Sequence, residues 1–237
     1  MPFTFSHPAI ILPFLKNKKM SATALVVGSM SPDFEYFFRM KMQSELSHTF
    51  LGLFLIDFPL CFLVIFVFHG IIKKPLIDNS PLFFKSRLQL LRNFNWFDYL
   101  KKNVFLVLIS FLIGALSHLF WDSMTHWDGY LVQRIPFFNE EVMTIPIYKI
   151  AQHLSTVVGL TILFFYIHNL VVDTAVVKSS IFKYWFMTIA FAAVILIVRF
   201  MFGLQIQQIG SVIVSILFSG MLAVTAVGLI FSFKKIT

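Results

Sequence analysis

Three ionisable side chains recur at intervals of four residues in the segment from Ser117 to His126. His118, Asp122 and His126 occupy positions i, i+4 and i+8. On an α-helix each step of four residues rotates by only about 40°, so the three side chains are expected along one face. Imidazole and carboxylate groups are ligands of Zn²⁺, and of manganese and iron as alternatives. The spacing favours a metal site, although a polar stripe that joins helices by hydrogen bonds has the same pattern.

The composition shows that these side chains belong to a membrane protein. Of 237 residues 58% are hydrophobic and 13% are charged, whereas a soluble domain carries about 25% charged residues. So few charges do not cover a soluble surface, and the disordered, collagenous and disulfide-rich secreted classes are excluded. The single cysteine, Cys61, also excludes disulfides and cysteine-based metal sites. We interpret the chain as an integral membrane protein.

Five apolar stretches are long enough to span a membrane, which takes about 20 residues. The apolar piece from Ala22 to Met30 is too short and is expected to be packed or re-entrant. The predicted fold is an all-α, polytopic membrane helical bundle, with about five transmembrane helices plus short N-terminal helices. It forms a single domain, 1–237. The predicted spans are about 50–72, 104–124, 153–173, 184–203 and 209–233.

The distribution of basic residues predicts the orientation. Lysines and arginines dominate the loop between the first two spans, which the positive-inside rule therefore places in the cytoplasm. Lys178, Lys183, Lys234 and Lys235 then also fall inside, so the C-terminus is expected to be cytoplasmic. The basic N-terminal residues, Lys16, Lys18, Lys19, Arg39 and Lys41, conflict with this topology. The net charge of +8 is explained by topology, and no nucleic-acid partner is expected.

This topology brings histidines from three segments to the outer membrane face. They are His48, His118 with His126, and His153, whereas His69 and His168 lie near inner ends of spans. Asp33, which follows a helix-breaking proline, and His7 are further candidates for the same face. Because buried charge without a partner costs several kcal/mol, a divalent cation is a favourable companion for such carboxylates. The convergence predicts a metal centre.

Two other charged residues in the spans have two interpretations each. Arg199, near the outer end of the fourth span, either extends to the interface or binds the anion of a phosphate-bearing substrate. Asp57 either pairs with another span or lines a small cavity. The chain has no Gly-x-Gly-x-x-Gly, Walker loop or Gly-x-Ser-x-Gly, so nucleotide use and a serine nucleophile are not expected.

Several motifs carry a family resemblance: MPFTFSHPAIILPF, GSMSPDF, SHTFLGLFLIDFPL, SHLFWDSMTHWDG and QHLSTVVGL. The chain resembles an uncharacterised family of small bacterial membrane proteins, allied to the membrane-bound metal-dependent hydrolases of the inner membrane, with motifs like those of zinc-dependent phospholipase C. The resemblance covers roughly 1–165, and 166–237 holds additional spans. It implies a metal-site set of His7, Asp33, His48, His118 and Asp122, with His126 and His153 as further candidates.

In one place the chain departs from the allied hydrolases, which carry His-Arg shortly before the histidine that corresponds to His48. Here Gln43 to Ser47 offers neither residue, and Glu45 is a substitute as ligand or base. The expected function is hydrolysis of a phosphoester in a lipid or lipid-linked substrate, with zinc as the first choice of metal. Asp122 or Glu45 would be the general base, and Arg199 would bind the phosphate. The expected location is the bacterial inner membrane, with the site at its outer face.

Two alternatives of other classes remain open. A transporter or channel would use the same polar residues for ion or proton passage toward His69 or His168. A structural membrane subunit would use the His/Asp cluster only to fix the helix bundle.

Overall fold

The computed structural model describes residues 3–17, 19–44, 47–173 and 180–233, apart from the side chain of Phe50. The regular secondary structure of the described residues is helical except for one short hairpin, in which Glu141–Val142 pairs antiparallel with Ile145–Pro146. The predicted all-α class is confirmed. Glu45 and four of the basic residues used for topology lie outside the described residues, namely Lys18, Lys178, Lys234 and Lys235.

Short helical elements precede the first span. Helix α1, Ala22–Gly28, begins at Ser21, whose hydroxyl accepts a hydrogen bond from the Ala24 N–H. Seven residues are too few to span a membrane, and α1 instead buries Ala24 and Leu25 completely. The other short elements are Thr4–Ser6, Pro8–Ile11, Leu12–Phe14, Ser31–Asp33, Phe34–Arg39 and Phe50–Gly52.

Five helices are long and apolar enough to cross a membrane, as predicted. The third begins at Ile147 and not near 153, because Pro146 precedes it and its first turns carry the polar residues Lys149 and Gln152, which a hydropathy pattern does not count. The five helices are α2 (Leu53–Asp78), α3 (Val104–Thr125), α4 (Ile147–His168), α5 (Ile181–Met201) and α6 (Ile209–Phe233).

Helix α2 widens into π-helical turns at Leu53–Asp57 and Phe68–Ile72. The first turn comes directly before Pro59, which has no N–H to donate to the preceding turn. The Phe58 N–H reaches the Leu53 carbonyl there, and Asp57 is completely buried in this turn.

The residue contacts group the chain into two compact units. Unit 1 comprises 1–33, 46–61 and 102–169, and unit 2 comprises 34–45, 62–101 and 170–237. The N-terminal part of α2 therefore belongs to unit 1 and its C-terminal part to unit 2.

In unit 1 the short helix α1 lies tightly against α3. A Cβ atom at Gly28 would lie 2.6 Å from the Phe111 carbonyl oxygen, and one at Gly114 would overlap the Leu25 carbonyl. The Ser110 hydroxyl accepts a hydrogen bond of 2.8 Å from the Ser21 N–H. Small residues on this face of α3, at i−4 and i−8 from His118, let the backbones approach closely. The same face therefore directs His118 into the interior.

In unit 2 small residues of α6 contact the segment around Met40. The Met42 N–H donates to the Ser211 hydroxyl at 3.2 Å, and the Ser215 hydroxyl donates to the Met40 carbonyl at 3.1 Å. The loop between α2 and α3 forms three further short helices, Leu82–Arg87, Gln89–Asn93 and Trp96–Lys102.

Candidate metal centre

Three segments of unit 1 supply a cluster of two histidines and two aspartates. Asp33 ends the Ser31–Asp33 turn that follows α1. His48 precedes Thr49, whose hydroxyl accepts from the Gly52 N–H and so caps the helical turn leading into α2. His118 and Asp122 lie one turn apart near the C-terminal end of α3.

One nitrogen or oxygen atom of each side chain lies within 4.8 Å of those of the other three. The Nε2 atom of His118 is 3.1 Å from Asp122 Oδ2 and 3.6 Å from Asp33 Oδ1. The Nε2 atom of His48 is 3.6 Å from Asp33 Oδ1 and 3.9 Å from Asp122 Oδ2. The His48 side chain is 28% exposed, whereas the Asp33 and His118 side chains are completely buried. The cluster therefore opens on the side of His48.

These separations fit a bound cation better than a hydrogen-bonded network. A tetrahedral Zn²⁺ with nitrogen and oxygen ligands at 2.0–2.2 Å places its ligand atoms about 3.3–3.6 Å apart. Hydrogen bonds between nitrogen and oxygen are usually about 2.7–3.2 Å long. Three of the four distances exceed the hydrogen-bond range. The four atoms are thus close enough together to hold one metal ion.

Buried atoms of the cluster that lack hydrogen bonds also favour a bound cation. Among the described residues, His118 Nε2, Asp33 Oδ1 and both carboxylate oxygens of Asp122 have no hydrogen-bond partner although they are buried. Each such unsatisfied group costs about 1–3 kcal/mol, and more if it is charged. A cation among these atoms would satisfy all of them together.

Neighbouring groups fix the orientation of two members. The His118 Nδ1 atom donates to the Ser29 carbonyl at 2.8 Å, which leaves the lone pair on Nε2. The Thr4 hydroxyl donates to Asp33 Oδ2 at 2.5 Å, which leaves Oδ1 directed at the histidines. The roles of Thr4 and Ser29 were not predicted from the sequence. Both lie inside motifs quoted above, MPFTFSH and GSMSPDF, but nothing in the spacing indicated their roles.

Two further histidines contact Asp122. The His7 ring stacks on that of His118 with centroids 3.8 Å apart, and its Nε2 is 3.6 Å from Asp122 Oδ1. The His126 Nδ1 atom is 3.5 Å from the same oxygen. Helix α3 ends at Thr125, so His126 lies in the extended residue after the helix rather than on its face. It nevertheless faces Asp122, because the chain turns there.

The surroundings of His7, His126 and Asp33, which lie outside the long helices, favour the protonation states that bind metal. Burial, reinforced by the nearby His118, lowers the pKa of His7 to about 4. Burial lowers the pKa of His126 as well. Burial alone would raise the pKa of Asp33, but the adjacent histidines outweigh it and hold that pKa well below its ordinary value. At neutral pH the His7 and His126 imidazoles are therefore neutral and Asp33 is ionised, which are the protonation states of metal ligands.

The remaining candidate residues lie apart from this cluster or outside the described chain. His153 is exposed on α4, and its side chain is not part of the cluster of Asp33, His48, His118 and Asp122. Arg199 belongs to unit 2, where its guanidinium donates to the Phe202 and Met40 carbonyls at 3.4 and 3.5 Å. Glu45 lies outside the described residues.

Comparison with known proteins identifies the family. No curated protein and no solved structure matches the chain. A family described as a domain of unknown function matches residues 1–233, nearly the whole chain. The expected resemblance to an uncharacterised family is thereby confirmed. A membrane-type helical chain with a buried His/Asp cluster, this protein belongs to the family named Domain of unknown function (DUF4184).

Proposed function

We propose that the protein is a membrane-embedded, metal-dependent hydrolase that cleaves a phosphoester in a lipid or lipid-linked substrate, with Zn²⁺ as its metal. The observation that carries the proposal is the convergence of unsatisfied buried atoms from Asp33, His118 and Asp122 on one small space. A purely structural polar cluster would pair these atoms with donors, as most buried polar groups are paired. Two carboxylates and two imidazoles match the donor set of a zinc site.

The chemistry follows from the donor set. A divalent cation held by Asp33, His48, His118 and Asp122, with a water as a fifth ligand, would lower the pKa of that water to about 7 and polarise a phosphoryl oxygen. The water oxygen would form a bond to phosphorus while the bond from phosphorus to the leaving oxygen breaks. Because Asp122 then binds the cation, Glu45 is the carboxylate that would accept one water proton, and the leaving oxygen would take up a proton.

The position of the cluster supports a lipid substrate. Asp122 lies three residues, and His118 seven residues, before the end of α3 at Thr125. At about 1.5 Å per residue this is about 5 to 10 Å from the helix end. The ends of spanning helices lie near the boundary between hydrocarbon and headgroups, where the phosphate of a lipid also lies. The exposed edge of His48 gives such a headgroup access to the cluster.

Two features of the proposal come from the sequence. The positive-inside rule puts the cluster at the outer face of a bacterial inner membrane. Arg199 would bind the phosphate through the guanidinium group that here contacts only backbone carbonyls among the described residues.

The test measures hydrolysis by the purified full-length protein in vesicles that contain phosphatidylcholine, phosphatidylglycerol and polyprenyl phosphoesters. We expect zinc-dependent release of a phosphate or phosphorylated headgroup, and we expect chelation or His118→Ala to reduce the rate at least about 100-fold. The matched control is His168→Ala, because His168 is an exposed histidine at the other end of a span. Hydrolysis that continues unchanged in His118→Ala would contradict the proposal.

The same variants separate the two other classes. If His118→Ala lowers only the melting temperature and a screen of lipid phosphoesters detects no hydrolysis, the cluster is structural. If the wild type instead conducts ions in liposomes, and His118→Ala with Asp57→Asn abolishes the flux, the protein is a transporter or channel. Either result overturns the hydrolase proposal.

A further inference from the structure

The imidazole of His7 is a second unsatisfied polar group beside Asp122. Its side chain is completely buried, and neither ring nitrogen has a hydrogen-bond partner among the described residues. His7 is not one of the four residues that enclose the first metal position. A buried imidazole whose two nitrogens make no hydrogen bond calls for another kind of partner.

The carboxylate of Asp122 faces histidines on both of its sides. Its Oδ2 atom is directed at His118 and His48, at 3.1 and 3.9 Å. Its Oδ1 atom is directed at His7 and His126, at 3.6 and 3.5 Å. These last two distances also fall within the separation of about 3.3–3.6 Å expected between ligand atoms of one tetrahedral metal ion.

We propose that Asp122 bridges two divalent cations, and that the second is held by His7, His126 and Asp122 Oδ1. This inference rests on the first metal position of the proposed function and adds a second one beside it. The His126 Nδ1–H donates to the Asp122 backbone carbonyl at 3.2 Å in this structure. Binding of the second cation at Nδ1 would move that proton to Nε2 and replace this hydrogen bond.

The stacking of two histidine rings indicates how far apart two such cations would lie. The His7 and His118 rings are nearly parallel, at 17°, with centroids 3.8 Å apart. Both Nε2 atoms face the same carboxylate, so ions bound by the two rings lie side by side at about the ring separation. Two-metal sites in phosphatases and nucleases have their ions about 3.5–4 Å apart. The stacking therefore matches a binuclear centre.

A second cation suits the phosphate ester of the proposed function. Three protein ligands would leave an open position, where a water or a phosphoryl oxygen binds. Two adjacent cations stabilise both the attacking and the leaving oxygen in an in-line displacement at phosphorus.

The test counts metal ions in the purified full-length protein after loading with Zn²⁺ and removal of unbound metal. We expect two zinc ions per chain in the wild type and in the control His168→Gln, and one in His7→Gln and in His126→Gln. The His126 side chain is 20% exposed, so that variant keeps the test valid if the buried His7→Gln fails to fold. Mn²⁺ is the second probe, because two bridged Mn²⁺ ions give an exchange-coupled electron paramagnetic resonance spectrum.

The outcomes separate the two proposals. One zinc per chain in the wild type, unchanged in His7→Gln and His126→Gln, would overturn the second position and leave the first intact. No bound zinc in the wild type would overturn both. Two Mn²⁺ ions without exchange coupling would show that they are not bridged by Asp122, and would also overturn the inference.

Discussion

The two units of the chain neutralise their buried carboxylates in different ways. In unit 2, Asp78 accepts two hydrogen bonds from Arg92, at 2.5 and 3.0 Å, and Glu35 pairs with Arg39 at 2.8 Å. In unit 1, Asp33 and Asp122 face histidines, and no lysine or arginine of the described chain pairs with them.

This difference separates a structural use of carboxylates from a chemical one. An arginine carries a permanent charge and donors that match a carboxylate, so its pair is complete without a ligand. A neutral imidazole donates from one nitrogen only, and in His118 that donor is already bound to the Ser29 carbonyl. Lone pairs and carboxylate oxygens then face each other, which is favourable only when a proton or a metal cation lies between them. We therefore expect metal binding to depend on the carboxylates of unit 1. We expect the loss of an arginine in unit 2 to lower the stability of the protein instead.

The largest expected effect is on metal affinity in Asp33→Asn. This substitution removes the negative charge from an oxygen that lies 3.6 Å from two histidine nitrogens. We expect zinc affinity to fall more than about 100-fold, beyond the usual effect of an outer partner of a metal ligand. Competition with a zinc chelator of known affinity measures it.

Glu35→Gln is the matched control, since it changes a buried carboxylate only two residues away that pairs with Arg39. If both variants weaken zinc binding equally, the buried carboxylates of the two units do not differ in metal binding, and our interpretation of the difference is wrong.

The second largest expected effect is a loss of stability when the Arg92–Asp78 ion pair of unit 2 is removed. We expect Arg92→Gln to destabilise the protein by about 3 kcal/mol, because the buried Asp78 would lose the guanidinium that donates two hydrogen bonds to it. Thermal unfolding in detergent measures the change, and zinc content should stay at the wild-type value. Arg134→Gln, at an exposed arginine of the loop between α3 and α4, should leave the melting temperature nearly unchanged. Loss of zinc in Arg92→Gln would refute the separation of roles.

A smaller effect is expected in Thr4→Val, which keeps the side-chain shape but removes the donor to Asp33 Oδ2. Partners that orient a metal ligand contribute about 10–100-fold to metal affinity, and we expect a loss within this range. Thr188→Val is the control, because Thr188 is also buried but donates only to the Tyr184 carbonyl of its own helix. Equal zinc affinity of Thr4→Val and wild type would show that Asp33 needs no orienting partner.

The smallest effect on zinc binding is expected in His153→Ala. The sequence places His153 at the same membrane face as the other histidines, but in the structure it is exposed on α4. We expect zinc content and affinity to remain at wild-type values in the chelator assay. A clear loss of zinc would return His153 to the set of ligands and would show that α4 turns its other face to the cluster.

These residues show how far the sequence could predict the structure. Hydropathy found all five spans, because a membrane imposes a length and a composition on each helix separately. The spacing of His118 and Asp122 predicted their proximity, because both lie on one helix. Topology placed His48 and His153 at one level of the membrane, but it carries no information on helix rotation. One step along a helix turns a side chain by about 100°, which is enough to separate His153 from the cluster.

The Thr4 hydroxyl and the Ser29 carbonyl, which orient Asp33 and His118, could not be predicted from the sequence for a different reason. The Ser29 carbonyl meets His118 only because Gly28 and Gly114 let α1 and α3 approach closely, and any residue type has a carbonyl. The approach of Thr4 to Asp33 likewise depends on how the N-terminal segment folds over unit 1. Such contacts join residues far apart in the chain, and local periodicity does not specify them.

Elemental analysis of the purified full-length protein, beside His118→Ala and His168→Ala, tests most directly whether the His/Asp cluster holds metal. We expect stoichiometric divalent metal, at least one ion per chain, in the wild type and in His168→Ala, and a clear loss in His118→Ala. A well-folded wild type that retains no metal after loading with zinc would show that the cluster is not a metal site.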